Sequence, residues 1–260
     1  MLKVYEIAYA SDRGKARKNS TNQDAVRVVE PSLFRRRPTL LVIADGMGGH
    51  AGGALASRSV VDAFADTFKK EISITSPKAL LESAVHQAHQ KVRIKGNPNG
   101  HLSDMGSTVV AAILEEDQLH MVNVGDSRLY MFRGKEISQV SYDHSLVADK
   151  VRQGEITKIE ARNYPQRNRL TMSISAHRRE ITFYSCNISL EVNDVILLCS
   201  DGLWATVPEE YIRATACQMP PQKATKKLID MAYSLGSPDN ISVVIARRVG
   251  TSLERDDEMA

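Results

Sequence analysis

Five aspartates stand where short strand-like segments begin or end. Each lies within two residues of a run of apolar, strand-forming side chains, and the five are Asp24, Asp45, Asp126, Asp201 and Asp239. Because buried strands pack side by side, their ends can gather these acids in one place. Clustered carboxylates repel one another and take up protons unless cations neutralise them. One Asp-Gly pair alone is equally typical of an ordinary turn, so it is the set of five that favours a metal site.

The ligand type indicates which metal such a site takes. Carboxylate, carbonyl and water oxygens suit Mg²⁺ or Mn²⁺, whereas zinc sites usually recruit His or Cys. Of the seven histidines, only His86 and His89 share a helix face, and no H-E-x-x-H pattern exists. We interpret that pair as ordinary helix-surface residues. The sequence therefore favours a hard divalent cation.

A glycine-rich loop over residues 45–53 leads from Asp45 into a predicted helix. Glycines allow close backbone approach, and free amides at a helix N-terminus favour anions. The loop matches neither the P-loop nor the dinucleotide-binding pattern, so a nucleotide-binding fingerprint is absent. Beside a metal-binding aspartate, such a loop suits a phosphate ester.

The sequence gives less evidence for a catalytic nucleophile than for a metal site. The three cysteines form neither a C-x-x-C pair nor a C-x5-R signature, and we interpret them as free thiols in a reducing cytosol. Asp143, His144 and Ser145 have the composition of a serine triad. Successive residues of one segment rarely converge in that geometry, which disfavours the triad.

Composition excludes several classes of protein. With 260 residues, 42% hydrophobic and 25% charged, the chain is typical of ordinary globular proteins. A formal charge of +3 is too small to argue for nucleic acid as a partner. Apolar runs are strand-length and the first residues lack a signal-peptide pattern, so we expect no membrane association and a cytoplasmic protein.

Hydrophobic periodicity predicts an α+β protein. The predicted strands cover residues 4–8, 25–29, 39–44, 108–114, 119–124, 129–132, 181–184, 195–199 and 241–246. The predicted helices cover residues 53–70, 77–95 and 222–235. Two successive helices followed by consecutive strands favour antiparallel sheets with helices packed outside. We predict a single catalytic domain over residues 1–250 and a disordered tail over residues 251–260.

Seven short motifs carry a resemblance to a known family. The chain resembles the type 2C, metal-dependent serine/threonine protein phosphatases, in particular their compact bacterial branch, over roughly residues 5 to 248. The motifs follow the family's order: NQD at 22, ADGMGGH at 44, DMGST at 104, VGDSR at 124, DHS at 143, SDGLW at 200 and DN at 239.

The resemblance implies a fold and a metal site. It implies a central antiparallel β-sandwich flanked on both sides by helix pairs, with two ions of Mg²⁺ or Mn²⁺ at one end. Asp45 would bridge both ions. Asp201 and Asp239 would complete the first site, and Asp24 with the Gly46 carbonyl would serve the second.

A weaker third ion is also implied. Asp126 would hold it together with Asp201. Ala205 stands where some members of the family have a further acid. For that reason we expect the third site to be weak.

The resemblance further implies an activity. A water bridging the two ions would hydrolyse phosphoserine and phosphothreonine on proteins that are targets of a serine/threonine kinase. The alternative is a catalytically weak regulatory module of the same fold that binds phosphoproteins. A phosphodiesterase or small-molecule phosphatase shares the same metal chemistry.

Departures from the family pattern concern the residues that meet the phosphate. Arg17 is the candidate to grip it, but two extra residues precede Asn22, so Lys18 or Arg13 is an alternative. His50 is a candidate proton donor to the leaving group, or else a loop histidine that shapes the helix entry.

A second departure lies in a segment that forms a flap in the family. Where relatives often read LTRALG, this chain reads LTMSIS at residues 170–175, with Met172 in place of Arg and Ser175 in place of Gly. We expect the change to alter substrate preference rather than hydrolysis.

Overall fold

The computed structural model describes residues 4–14, 21–30, 38–71, 76–96 and 102–250, without the side chains of His50 and Glu71. The strands in that part of the chain are β1 (Tyr5–Asp12), β2 (Asp24–Val29), β3 (Thr39–Met47), β4 (Gly106–Ser107), β5 (Val109–Glu115), β6 (Gln118–Val124), β7 (Arg128–Arg133), β8 (Glu136–Gln139), β9 (Ile174–Ser175), β10 (Tyr184–Ser189), β11 (Val195–Cys199) and β12 (Ile241–Arg248). The helices are α1 (His50–Glu71), α2 (Pro77–Gly96), α3 (Leu146–Arg152), α4 (Lys158–Arg162), α5 (Asp201–Trp204), α6 (Glu209–Gln218) and α7 (Pro221–Ser234).

The strands form two sheets in which every pairing is antiparallel. One sheet has the order β1-β12-β11-β7-β8. The other has the order β10-β6-β5-β3-β4-β9, and β2 pairs with β3 beside it. The predicted α+β class with antiparallel sheets is confirmed.

Alternate side chains of β3 contribute to two different cores. Leu41 and Ile43 pack between the two sheets. Leu40 and Val42 pack in a second core with residues of α1 and α2, among them Phe64. A strand buried on both faces reads as a continuous apolar run, which is why residues 39–44 contain no polar alternation.

The other sheet is covered in the same way. Leu197 of β11 and Val243 of β12 pack in a third core with Ile212 of α6 and Leu228 of α7. Ile196, on the opposite face of β11, joins the core between the sheets. The four layers are therefore helix pair, sheet, sheet and helix pair, and the predicted sandwich is confirmed.

Some predicted elements differ from the structure. The strand predicted over residues 181–184 begins only at Tyr184, because Ile181 and Phe183 pack against the core beneath α1 and α2 instead of joining a ladder.

The interpretation of His89 as a surface residue was wrong. Its ring is buried, and Nε2 lies 3.0 Å from the Arg178 carbonyl oxygen, whereas His86 is exposed.

Within the described residues, no helix has both the length and the apolar composition that crossing a membrane requires. α1 and α2 are long enough to span a bilayer, but both carry charged side chains along their length. Their apolar faces are covered by the seven-stranded sheet.

Candidate metal centre

Antiparallel pairing brings the ends of the acid-bearing strands to one edge of the sandwich. Asp24, the first residue of β2, is the direct partner of Asp45 near the end of β3. In the other sheet Cys199, the last residue of β11, pairs with Val243 of β12. That pairing places Asp201, just after β11, beside the segment that enters β12.

Asp45 lies at the centre of the acidic group. Burial raises the pKa of Asp45 well above its usual value, and the charges of four other carboxylates raise it further. In order of decreasing effect, those four are Asp24, Asp201, Asp126 and Asp239. The structure therefore brings together all five aspartates that the strand ends single out.

Asp24 is buried within the same group. Burial raises the pKa of Asp24 to about 7, hydrogen bonds from Ser242 and Ser200 oppose the rise, and the charges of Asp201 and Asp239 add to it. The carboxyl group therefore keeps its proton far above the pH at which an exposed aspartate ionises.

Asp126 lies on one side of the group. Burial raises the pKa of Asp126 well above its usual value, the charges of Asp201 and Asp143 add to the rise, and Arg128 opposes it. Asp201 has the largest effect of the neighbouring acids. This is the pairing that a third ion between Asp126 and Asp201 requires.

A buried oxygen atom tests whether the group fits a cation. Oδ2 of Asp24 accepts a hydrogen bond of 2.7 Å from Ser200 Oγ, whereas Oδ1 is buried with no hydrogen-bond partner. An ionised carboxylate oxygen without a donor is costly to bury unless a cation contacts it. The oxygen-rich donor set fits a hard divalent ion.

The five aspartates are near one another, but their carboxyl groups do not surround a common point. Among the described residues, no three His, Cys, Asp or Glu side chains are grouped so that they could hold a metal ion as they stand. Carboxylates without a counter-ion repel one another at short range. A cation at the centre would attract the same side chains inward.

Glycines let the acid-bearing turns approach closely. A Cβ atom on Gly46 would lie 2.0 Å from the Gly53 carbonyl oxygen in α1, and one on Gly202 would lie 2.0 Å from the Asn240 carbonyl oxygen. No other residue type fits at these two positions without a backbone shift. The contacts bring Asp45 close to α1 and Asp201 close to the segment of Asp239.

Thr108 joins the turn of Asp45 to the turn of Asp126. The Asp45 amide donates to Thr108 Oγ1 over 3.0 Å, and the Thr108 amide donates to the Asp45 carbonyl oxygen over 2.8 Å. Thr108 Oγ1 also lies at 2.7 Å from Ser127 Oγ, in a buried hydrogen bond. Sequence reasoning placed Thr108 and Ser127 in motifs but gave them no role.

Asn240 joins the two sheets at the same edge. Its Oδ1 accepts a hydrogen bond of 2.8 Å from the Gln23 amide, and its Nδ2 donates to the Arg13 carbonyl oxygen over 2.7 Å. Gln23 directly precedes Asp24, and Asn240 directly follows Asp239. The sequence shows a polar residue directly beside each of these two aspartates, but it does not show which backbone groups that residue contacts.

The residues of the DHS motif point to three different partners. Asp143 accepts hydrogen bonds from Arg128, with Nη2–Oδ2 at 2.8 Å and Nε–Oδ2 at 3.0 Å. His144 Nδ1 lies 3.2 Å from the Gly125 amide nitrogen, and Ser145 caps α3. The expectation that these residues form no serine triad is confirmed.

Several candidate residues lie outside the described part of the chain. Arg17, Lys18 and the tail over residues 251–260 are not described, and neither is the side chain of His50. Arg13 is exposed just beyond β1.

Ser175 lies in β9 opposite Gly106, in extended backbone, so it forms no unusual turn there.

The comparison with known families gives one clear match. The family described as Protein phosphatase 2C matches residues 13–231. The chain belongs to the protein phosphatase 2C family. The predicted enzyme class, protein-serine/threonine phosphatase, is confirmed at the level of this family.

Relatives within the 2C family are similar over nearly the whole chain. The serine/threonine phosphatase stp of Listeria monocytogenes serotype 4b (strain F2365) is 31% identical over 252 residues, which cover 95% of this chain and 98% of that protein. The crystal structure of the Mycobacterium tuberculosis serine/threonine phosphatase PstP/Ppp is 32% identical with a TM-score of 0.84, covering 96% of this chain and 100% of that one.

A further 2C-family structure contains metal. The catalytic domain of the serine/threonine protein phosphatase PstP in complex with 2 manganese ions is 34% identical, with a TM-score of 0.80. The match covers 95% of this chain and 99% of that chain. Divalent metal is therefore present in a close structural relative of this fold.

Proposed function

We propose that this chain hydrolyses phosphoserine and phosphothreonine on proteins with two ions of Mg²⁺ or Mn²⁺. Asp45 would hold both ions, Asp201 and Asp239 would complete one site, and Asp24 with the Gly46 carbonyl would complete the other. The observation that supports the proposal most is the position of Asp45, whose pKa is raised by burial and by the charges of four other aspartates.

The chemistry divides between the ions and the chain. When bound, the ions would lower the pKa of a water between them and neutralise the phosphoryl oxygens. Thr108 fixes the backbone of Asp45, and Asn240 holds the segments of Gln23 and Arg13 in place. These hydrogen bonds fix the backbone that carries the ligands, so their side chains extend from defined positions.

Two residues are proposed for contact with the substrate. Arg17 binds the phosphate, because a guanidinium matches phosphate oxygens with two parallel hydrogen bonds. His50 protonates the departing seryl or threonyl oxygen. Asp126 and Asp201 would hold a third ion, and that site would be weaker because Ala205 provides no carboxylate there.

The cellular role follows from the substrate class. We propose that residues 1–250 act as one catalytic domain in the cytoplasm on proteins phosphorylated by a serine/threonine kinase, without nucleic acid or membrane as a partner. Signal transduction is the process in which such an activity operates. The names of the relatives, serine/threonine phosphatases, support this class.

The experiment is phosphate release from a phosphothreonine peptide, with and without Mn²⁺. We expect release that depends on metal and is nearly abolished by Asp201→Ala. The matched control is Asp230→Ala, on the exposed face of α7, which should keep full activity. A wild-type chain that binds Mn²⁺ but releases no phosphate would favour the regulatory binding module instead.

A further inference from the structure

A segment over residues 146–169 leaves the body of the protein and returns to the point where it started. We call it the 146–169 excursion; it contains α3 and α4. The Leu146 amide donates to the Arg169 carbonyl oxygen over 2.9 Å, and the Thr171 amide donates to the His144 carbonyl oxygen over 2.9 Å. Its two ends are therefore joined side by side.

The base of the excursion lies beside the candidate metal centre. The His144 amide donates to the Gly125 carbonyl oxygen over 2.9 Å, and Gly125 directly precedes Asp126. From α3, Arg152 Nη2 donates to the Asp143 carbonyl oxygen over 3.1 Å. A peptide bound at the aspartates would therefore have this segment as a neighbour.

The excursion is basic, and its acids are already engaged. It has six Lys or Arg and three Asp or Glu, a formal charge of +3 that equals the charge of the whole chain. Asp149 pairs with Arg152, and Glu155 pairs with Lys150. The third acid, Glu160, accepts hydrogen bonds from the backbone amide and the hydroxyl of Thr157 in the capping box of α4.

Three arginines on the returning half are left exposed. Arg162, Arg167 and Arg169 are solvent-exposed, and none of them pairs with a carboxylate in the described part of the chain. Arginine stays charged at any physiological pH and matches carboxylates with a planar fork of donors. An exposed arginine group without internal partners is available to an external anion.

We propose that Arg162, Arg167 and Arg169 bind acidic side chains that flank the phosphorylated residue of the substrate. The preferred substrates are then phosphopeptides rich in Asp and Glu near the phosphosite. This inference rests on the proposed function. The positive charge of the arginines attracts such a peptide and steers it inward.

The test compares two phosphothreonine peptides that differ only at the flanking positions, with Asp and Glu in one and Asn and Gln in the other. The variant combines Arg162→Gln, Arg167→Gln and Arg169→Gln. The matched control combines Lys223→Gln, Lys226→Gln and Lys227→Gln, which removes the same charge from the exposed face of α7. p-Nitrophenyl phosphate reports hydrolysis without a peptide.

We expect the wild type to prefer the acidic peptide by about tenfold in kcat/KM, and the preference to weaken as salt rises. The arginine variant should keep a preference of about twofold or less, with the neutral peptide and p-nitrophenyl phosphate changed by less than about twofold. The α7 control should behave as the wild type. Equal rates on both peptides in the wild type, or equal losses in the two variants, would overturn the inference.

Binding separates this inference from the proposed function. Fluorescence anisotropy of labelled versions of the two peptides, with Mn²⁺-loaded protein, reports recognition whether or not phosphate is released. Tighter binding of the acidic peptide that is lost in the arginine variant supports the inference. If no phosphate is released from any ester, the proposed function fails while this result stands; equal binding of both peptides refutes the inference alone.

Discussion

Asp24 and Asp45 face each other as paired residues in the antiparallel ladder of β2 and β3. Two carboxyl groups at directly opposed positions cannot both ionise cheaply in a buried setting. Burial raises the pKa of Asp24 from 3.8 to about 7, so folded Asp24 holds a proton over a pH range where the unfolded chain has lost it. The contribution of Asp24 to the stability of the metal-free folded state is therefore lost as pH rises from near 4 to near 7.

Replacing Asp24 with Asn should remove that pH-dependent loss. Without metal, Asp24→Asn should be more stable than the wild type at about pH 8, and the difference should shrink at about pH 5, where the wild-type carboxyl is protonated. Urea unfolding in the presence of a chelator measures both. Asp62→Asn, at an exposed site on α1, is the control. A stability difference that is the same at both pH values would show that Asp24 titrates normally.

The Arg128–Asp143 pair should contribute much to stability. Both side chains are largely buried, and the Arg128 guanidinium also lies over the Trp204 ring, 3.6 Å from its centroid. Arg128→Ala leaves a buried carboxylate unpaired, at an expected cost of about 3–5 kcal/mol in the free energy of unfolding.

An exposed pair provides the comparison for Arg128. Arg27 and Asp62 lie 2.7 Å apart with side chains 48% and 52% exposed. Arg27→Ala should cost less than about 1 kcal/mol, since water screens such pairs. Chemical denaturation of both variants measures the two losses in the free energy of unfolding. Similar costs for the two substitutions would mean that Arg128 does not hold the buried carboxylate as described.

Thr108 should support metal binding without touching metal. Thr108→Val keeps the shape of the side chain but leaves the Asp45 amide without its acceptor, at about 1–3 kcal/mol in unfolding free energy. Since outer residues orient metal ligands, Mn²⁺ affinity should fall about tenfold.

Thr225→Val is the matched control for Thr108. Thr225 is as fully buried, but its hydroxyl donates to the Gln222 carbonyl oxygen within α7, away from the aspartates. Calorimetric titration with Mn²⁺ should show unchanged affinity for this variant. An unchanged affinity in Thr108→Val as well would remove Thr108 from the support of Asp45.

The strands that carry the candidate ligands were predictable because their environment is simple. β3, β11 and β12 are buried on both faces, so each contains a continuous apolar stretch, and the aspartates near their ends stand out. The ladder then fixes which ends meet. Periodicity predicted α1, α2 and α7 for a similar reason, since one face of each is buried.

Other features had no such signal in the sequence. α3 and α4 bury no side chains, so they show no apolar stripe, and their stability comes from caps such as the Thr157–Glu160 capping box. The hydrogen bonds between Thr108 and Asp45 and between Asn240 and Gln23 depend on tertiary proximity between residues more than 60 positions apart. Local patterns do not encode such contacts.

The central claim is that Asp45 anchors a pair of divalent ions, and calorimetric titration of the metal-free protein with Mn²⁺ tests it most directly. The wild type should bind two ions per chain, the number found in the PstP complex, and Asp45→Asn should lose nearly all of this binding while Asp62→Asn retains it. A folded Asp45→Asn variant that binds Mn²⁺ with the affinity and stoichiometry of the wild type would contradict the account.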